Sequence, residues 1–503
     1  MIIRISTRNC LRTVPGASPG VVAAALVLAL GIASWRTPAF AADLFLTGER
    51  EIYLAIDKLN AMGRLDGFLA NTRPYSVAAV RTVLEKNPGA SSGAGLDSQL
   101  ARWVAWSTKA SGTARATASA AASEKRVIPD NEGGVPIPKG VSLGLSALAR
   151  EASSPNLSAH ASGVYWLGEG DDRGALLGET ALEMGLPYIS LQAGKIATWY
   201  GPGRRGSLIF TNNARSYPGV RLHNPVPIPV PGIFSFLGSV QYDLFVAVME
   251  EDAPIPNSRL SGMRLAARPN RYLEIGLSRA IHYGGDGQAN GLSAWWDAFK
   301  GTGDNDQGSA GNQIAGFDAE ITLPFKAFPV QLYLEMAGED EAKIVGTVPG
   351  PTKWAYVGGV FLPALFGNPA YDLRVEYADN HIGGDGGSWY THSGGYAHFY
   401  HGQCLGHPMG TDARDLTVQA HWFLLPSTYL ELTFSRADRF YPGPELERTD
   451  RLSVGMLGWL TEKVRAEGEF AWEKVQNPGG SPGEDARDAT VRVALSYQTG
   501  WGR

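Results

Sequence analysis

Alternation of apolar and polar residues at every second position is the feature that most constrains this chain. In 271–281, Leu273, Ile275 and Leu277 alternate with Glu274 and Ser278. Successive side chains of a β-strand point to opposite faces, so this pattern predicts strands with one aliphatic and one charged face. Such strands fit either a soluble sandwich or a membrane barrel whose aliphatic face contacts lipid. The same pattern recurs at 329–338, 370–379, 428–437 and 463–474.

Sixteen strands are predicted after residue 140, and the Pro- and Gly-rich segment 199–235 has room for two more. They are placed near 141–150, 157–167, 173–185, 188–198, 236–250, 258–268, 271–281, 313–323, 329–338, 354–362, 370–379, 414–425, 428–437, 450–459, 463–474 and 488–497.

The lengths of the connections favour the membrane barrel. Two-residue connections such as 269–270 and 426–427 alternate with long ones such as 282–312 and 380–413. Outer-membrane barrels have short periplasmic turns and long extracellular loops. We therefore predict a mainly β fold, a transmembrane antiparallel β-barrel of 16–18 strands, whose long loops lie outside the cell.

The N-terminal region predicts export. Residues 1–41 combine Arg4, Arg8 and Arg12 with an apolar run at 21–32 and end in a small-x-small sequence, which is typical of a secretory signal peptide. Its removal would leave 40 basic and 49 acidic residues, a net charge of −9, which argues against a nucleic-acid partner. Cys404 would then be the single cysteine, so no intrachain disulfide is expected.

Helical periodicity precedes the strands. Apolar residues recur at three- and four-residue steps in 49–62, and a second helix is predicted after Ser76 as N-cap. A third helix is placed within 96–122, and the small-residue tract 108–123 is interpreted as linker-like. The predicted domains are a signal peptide (1–41), a periplasmic helical module (42–125), a linker (126–140) and the barrel (141–503).

Several segments resemble the capsule-assembly Wzi family of outer-membrane proteins. They are Gly194–Gly203 with Ser207–Arg215, Ile255–Arg264 with Leu273–Arg279, Gly402–Gly410, and Ile56–Gly63 in the helical region. The resemblance covers nearly the whole chain after residue 41. It implies an 18-stranded barrel with a periplasmic helical module, and a lectin-like, non-catalytic role in holding capsular or exopolysaccharide at the cell surface.

Two long loops hold candidate polysaccharide-binding residues. Sugar rings stack on flat aromatic faces, and fixed polar groups orient their hydroxyls. The aromatic residues of these loops could equally form the interfacial girdle of a barrel or pack the loops down. The candidates are Trp295 and Trp296 in 282–312, and Trp389, Tyr390, His392, Tyr396, His398 and Tyr400 in 380–413.

No metal or cofactor is predicted. His398, His401 and Cys404 follow each other at three-residue steps, but on a strand such a step alternates between faces, so nothing requires them to converge. Histidines in 381–407 could instead make glycan binding depend on pH. Asp304 and Asp306 weakly resemble a calcium loop that lacks its terminal glutamate.

Two other function classes are compatible with parts of the sequence. A diffusion porin for small solutes is the main alternative to a polysaccharide-binding barrel. A periplasmic glycosidase is less favoured, because the many acids of the strands single out no catalytic pair. The expected partners are capsular or extracellular polysaccharide and outer-membrane lipid, with the polysaccharide export machinery as a further candidate.

Overall fold

The structure is a computed structural model of the 503-residue chain. It describes residues 43–154, 156–186, 188–300, 311–323, 325, 328–345, 348–381, 389–392, 394–440 and 446–502, with backbone alone for 340–345 and 348–353. The predicted signal peptide and the predicted calcium-like loop with Asp304 and Asp306 lie outside these residues.

Eighteen antiparallel strands form a closed barrel. They are β1 (Gly112–Ser123), β2 (Gly140–Ser154), β3 (Leu157–Leu167), β4 (Arg173–Leu186), β5 (Ile189–Ile196), β6 (Tyr217–His223), β7 (Ser239–Val248), β8 (Arg259–Asn270), β9 (Leu273–Tyr283), β10 (Gly311–Leu323), β11 (Val330–Val345), β12 (Val348–Leu362), β13 (Tyr371–Asp379), β14 (Ala413–Leu425), β15 (Thr428–Arg439), β16 (Glu447–Trp459), β17 (Val464–Gln476) and β18 (Asp485–Trp501). The barrel closes where β1 pairs with both β2 and β18, in register from Gly112 to Ser123. The predicted fold class and the favoured count of eighteen are confirmed.

The two faces of the barrel wall differ as the alternation predicts. Leu277 is 62% exposed on the outer surface of β9, while its neighbours in the chain, Gly276 and Ser278, face the lumen. The outward series includes Leu265, Leu334, Leu432, Val454 and Leu495, and the buried inward series includes Arg264, Glu274, Asp318, Glu335, Glu376 and Arg465. The outer surface is therefore apolar, and the lumen is lined by charge.

In the described part of the chain, four helices accompany the barrel. They are α1 (Arg50–Ala61), α2 (Val77–Lys86), α3 (Leu96–Ser107) and α4 (Leu292–Phe299), with shorter 3₁₀ turns at Pro88–Ser91, Gly232–Leu237, Leu365–Gly367 and Pro478–Gly480. Gly63, at φ 68°, follows the end of α1, and the Ser76 hydroxyl caps α2 by accepting from the Ala79 amide at 3.3 Å. Among the described residues, no helix is long and apolar enough to cross a membrane.

The third predicted helix is confirmed, because α3 lies within 96–122 and ends at Ser107. The interpretation of 108–123 as linker-like is wrong, because Gly112–Ser123 is a barrel strand. The predicted linker 126–140 is mostly the loop between β1 and β2, so the barrel begins within the segment assigned to the helical module. In 199–235, where the sequence leaves room for two strands, the structure has β6 and the two-residue strands Trp199–Tyr200 and Ile228–Pro229. Ile228–Pro229 pairs with the start of β7.

Candidate functional site

The helical module, residues 43–107, lies inside the barrel at the end that carries the short turns. Lys58 of α1 donates to Asp372 of β13 at 2.8 Å, and both side chains are fully buried. Glu51 accepts from Arg115 of β1 at 2.6 Å and from Arg465 of β17 at 2.8 Å. These contacts reach separate parts of the wall, so α1 lies across the lumen and obstructs it. Further contacts join Asp43 to Arg150, Asn60 to Glu320, and the Ala70 and Asn71 amides to Glu274.

A loop from the opposite end reaches down to this module. Arg204, in the Gly-rich loop after β5, donates through Nε to Asp57 of α1 at 2.9 Å. Its backbone amide and that of Arg205 donate to the Glu376 carboxylate of β13 at 2.6 and 2.5 Å. Burial alone would raise the pKa of Asp57, but the Arg204 and Arg73 guanidinium groups outweigh it and hold that pKa below its usual range.

The loop between β1 and β2 makes the second such contact. Glu132 pairs with Arg492 of β18 at 2.5 Å and with Arg50 of α1 at 3.3 Å. Although burial opposes the shift, these arginines lower the pKa of Glu132 to about 2, so the group is ionised. The helical module enters the barrel from the short-turn end, and the two loops enter from the long-loop end. They therefore meet in the lumen at two ion pairs, Asp57–Arg204 and Arg50–Glu132.

The long-loop end is closed over by a packed structure that we call the lid, formed by 199–216 and 389–412 without residue 393. Phe210 lies at its centre, with ring centroids 5.4 Å from Tyr200, 5.2 Å from Phe245 and 5.5 Å from His398. Backbone groups join the two lid segments, because Thr211 donates its amide to the Leu405 carbonyl at 2.7 Å. The lid is therefore an apolar core built from loops.

Two polar side chains inside the lid are matched to backbone carbonyls. Tyr390 donates its hydroxyl to the Leu208 carbonyl at 2.7 Å, and the His398 Nε2 lies 2.6 Å from the Ile209 carbonyl. Burial lowers the pKa of His398 and of His407 to about 4, so both imidazoles are neutral at neutral pH. The same burial raises the pKa of the Cys404 thiol far above its usual value.

Between the lid, the helical module and strands β14 to β18 lies a chamber of about 330 Å³. Its side chains remain accessible within the barrel: that of Arg50 is 49% exposed and that of Glu431 is 35% exposed. Pockets of a few hundred Å³ with convergent polar groups are typical ligand sites. The lining combines the rings of Tyr53, Trp199 and Tyr429 with Arg205, Asp130, Glu132, Gln419, Thr433, Ser453, Glu467, Glu469 and Arg492.

This lining suits hydroxyl-rich ligands. Guanidinium groups are fixed donors and carboxylates are fixed acceptors, and the chamber presents both within reach of aromatic rings. Arg492 is held by Glu132 and by Glu469 at 2.9 Å, so its orientation is set before any ligand enters. The chamber can therefore hydrogen-bond a sugar at several positions without rearranging its wall.

Six predicted sugar contacts lie in or beside the second lid segment, mostly as packing residues. Trp389 and Tyr390 are fully buried, and Tyr396, His398 and Tyr400 are nearly so. Tyr396 donates its hydroxyl to the Gly284 carbonyl at 3.0 Å. His392 is half-buried. The structure thus brings these residues together, but inside the lid rather than on its surface.

The other two predicted residues lie elsewhere. Trp295 and Trp296 belong to α4, which packs on the outside of the barrel wall near the long-loop end. Trp295 donates its indole N–H to Ser261 of β8 at 3.2 Å, and Trp296 stacks on Phe299 with ring centroids 5.3 Å apart. They share no surface with the six lid residues.

The three residues at metal-ligand spacing in the sequence are separated by the fold. His398 and Cys404 are buried in the lid, whereas His401 lies near Glu250 and Asp252 of the loop after β7. The ligating atoms of that last trio lie within 4.8 Å of one another.

The chamber residues were not singled out by sequence reasoning. The alternation at 428–437 and 463–474 predicts that Glu431, Glu467 and Glu469 face the lumen, but local patterns do not show which loops approach them. Arg204 and Arg205 stand in the motif Trp199–Gly206, whose glycines and proline indicate a sharply folded loop. That composition was the available signal, and it did not reveal that the loop turns inward.

Comparisons with known proteins agree with this architecture. The family model of capsule assembly protein Wzi matches residues 109–490. A solved structure named as Wzi, an outer-membrane protein involved in group 1 capsule assembly in Escherichia coli and a carbohydrate-binding β-barrel, superposes with a TM-score of 0.71. It is 19% identical and the match covers 92% of this chain and 100% of that one.

A relative in Klebsiella pneumoniae, named as an uncharacterized 55.8 kDa protein in the cps region, is 31% identical over 194 residues. That match spans 38% of this chain and 37% of the relative, well under two thirds of its length.

Proposed function

Because the chain belongs to the capsule assembly protein Wzi family, we propose that it holds capsular or extracellular polysaccharide at the cell surface without catalysing a reaction. The chain is an outer-membrane β-barrel of capsule assembly. In the proposed orientation the long loops and the lid face outward and the helical module faces the periplasm, as the short-turn rule of such barrels requires.

The observation that carries this proposal is the filled lumen. A diffusion pore depends on an open water-filled channel, but here the helical module and the lid loops meet inside the barrel at Asp57–Arg204 and Arg50–Glu132. The lid is packed around its own apolar core, as a preorganised binding platform would be, because rigidity in the free state lowers the cost of binding.

We place the polysaccharide contact at the chamber and the surrounding lid surface. The chamber offers fixed donors, fixed acceptors and aromatic edges in one cavity, whereas stacking on a sugar needs a ring face that solvent can reach. The buried aromatic residues of the lid then act by holding this surface in place. Among the six predicted contacts in the lid, His392 is the one that is half-buried rather than buried. Because solvent reaches its side chain, His392 stays a predicted sugar contact.

The export machinery stays a predicted partner of the periplasmic face. A glycosidase is not proposed, since acids of the chamber such as Glu467 and Glu469 are already engaged by arginines.

Deletion of the gene tests the proposed function. We expect the cells to make the same amount of polysaccharide but to release most of it into the medium, as measured by uronic acid or hexose assay of cell-bound and soluble fractions. Restored retention after expression of the intact chain is the control. Retention unchanged by deletion, or shorter polysaccharide chains on incubation with the purified protein, would contradict the proposal.

A further inference from the structure

Helix α4 lies on the outside of the barrel rather than over its mouth. On β9 the outward positions Ile275 and Leu277 are exposed, and the same series continues to Ile281 and Tyr283, which are buried. They are buried because they form one apolar cluster with Ala294 and Ala298 of α4. The helix therefore covers the last outward positions of the wall at the long-loop end.

The helix presents three distinct sectors at 3.6 residues per turn. Ala294 and Ala298 face the wall, where their small side chains permit close approach. Trp295, Phe299, Leu292 and Trp296 follow each other around one flank, and Ser293, Asp297 and Lys300 occupy the other. One long edge of α4 is thus aromatic and the other is polar.

The aromatic flank points toward the middle of the apolar band. Trp295 donates to Ser261 and packs near Met263, which lies further down β8 from its long-loop end. Phe299 lies under the Arg279 guanidinium at 4.4 Å, and Arg279 precedes Ile281 on the outward-running β9. Met263 and Arg279 pair with each other across β8 and β9, one step closer to the centre of the wall than Ile281.

The outer parts of this flank have no protein covering among the described residues. Leu292 is 79% exposed and Trp296 is 50% exposed. They lie next to the exposed aliphatic surface of Leu265 and Leu277, which is the lipid contact of the barrel. The polar groups between them, Arg279 and Ser261, are covered by Phe299 and Trp295 of the helix. A hydrophobic flank in this position is more stable in contact with acyl chains than in contact with water.

We infer that α4 is an interfacial membrane helix, which lies along the bilayer surface with Leu292 and Trp296 in the acyl chains. Ser293, Asp297 and Lys300 lie in the headgroup layer, where charged groups stay hydrated. Tryptophan favours this boundary because its ring is apolar and its N–H is polar. The assignment of the helix to the outer leaflet rests on the orientation proposed above. The inferred contact with lipid does not depend on that orientation.

This placement gives the helix a role that the sequence did not reveal. It fixes the height of the barrel in the bilayer and holds the loop between β9 and β10 against the membrane. It also directs Trp295 and Trp296 to lipid instead of polysaccharide.

The test measures how deeply single positions lie in a bilayer. The exported protein carrying Cys404→Ser receives Trp296→Cys, is labelled with bimane and is reconstituted into phosphatidylcholine vesicles. Nitroxide-labelled phosphatidylcholine carries the quencher near either the headgroup end or the methyl end of the chain, and iodide quenches from water. Ser293→Cys is the matched position on the polar flank, and Leu277→Cys is the reference within the apolar band.

We expect the label at position 296 to lose most of its fluorescence to the shallow nitroxide and little to iodide. The label at 293 should respond mainly to iodide, and the label at 277 mainly to the deeper nitroxide. If the Trp296→Cys barrel fails to fold, as judged by its mobility in unheated gels, Leu292→Cys replaces it with the same expectation. Iodide quenching at 296 equal to that at 293 would overturn the inference. Protection of position 296 from both quenchers that is lost on dilution would also overturn it, because a second copy of the chain would then cover the helix.

Discussion

At the scale of single residues, buried ion pairs hold the parts of the lumen together. Asp57 accepts hydrogen bonds from Arg204 at 2.9 Å, from Arg73 at 2.5 Å and from the Tyr75 hydroxyl at 2.6 Å. Removing one charge of such a group leaves its partner charges buried and unpaired. The free-energy cost of that change exceeds the stabilisation that the ion pair itself provides.

We therefore predict that Asp57→Asn weakens the docking of the helical module by about 3–5 kcal/mol. The measurement is hydrogen–deuterium exchange of peptides from 43–107 in the folded barrel, which should become faster. Asp66→Asn is the matched control, because Asp66 is exposed in the same module and its loss should leave exchange unchanged. Equal exchange in both variants and the unaltered protein would contradict a structural role for Asp57.

At the scale of elements, the lid has a pH dependence that follows from its buried histidines. The pKa of His398 is about 4 in the folded lid, below the ordinary value of about 6.5. The unfolded lid thus binds more protons between these values, so lid stability is complete above about pH 6.5 and falls as the pH drops toward 4. The loss from His398 amounts to about 3 kcal/mol, and His407 adds to it in the same direction.

Hydrogen–deuterium exchange of peptides from 199–216 and 396–412 measures this loss, after correction for the intrinsic rate. We predict that acidification from pH 7 to pH 4.5 accelerates exchange in the lid and not in strands β14 to β18. In His398→Gln, which keeps a donor for the Ile209 carbonyl but does not titrate, the acceleration should be smaller. An identical response in this variant would show that His398 does not control the lid.

The elements also show how far sequence could predict this fold. Strands such as β9 and β15 were located because large aliphatic and charged residues alternate between lipid and a charged lumen. Strand β1 was missed because its residues are nearly all small, so it carries almost no alternation in size or polarity. Its pairing with β2 and β18 depends on residues 17 to several hundred positions away, which local pattern cannot reveal.

The candidate site was less predictable for the same reason. The aromatic residues of 389–412 were identified, but a loop tryptophan gives the same sequence signal whether it stacks on a sugar or packs in a core. Trp389 is fully buried because 199–216 folds onto it, and that contact joins segments almost 200 residues apart. The chamber follows from this loop packing and therefore appears only in three dimensions.

At the scale of the whole molecule, the proposed function makes the barrel a support rather than a channel. We predict that the intact protein in a planar bilayer passes little steady current, because the helical module and lid occupy its lumen. Deletion of 43–107 retains all eighteen strands and removes one of the two obstructions, so the conductance should rise above that of the intact protein. Porin-like conductance of the intact protein would favour the solute channel instead.

The most direct test of the central claim is binding of the host's own purified polysaccharide to the detergent-solubilised barrel, measured by retention on a polysaccharide column. We compare Ser453→Trp, which fills the chamber, with Val454→Trp, which puts the same side chain on the adjacent lipid-facing position. The unaltered protein and Val454→Trp should be retained, while Ser453→Trp should bind about tenfold more weakly, a loss of about 1.4 kcal/mol. Failure of the unaltered protein to be retained would contradict the proposed function, and equal retention of both variants would contradict the chamber as its site.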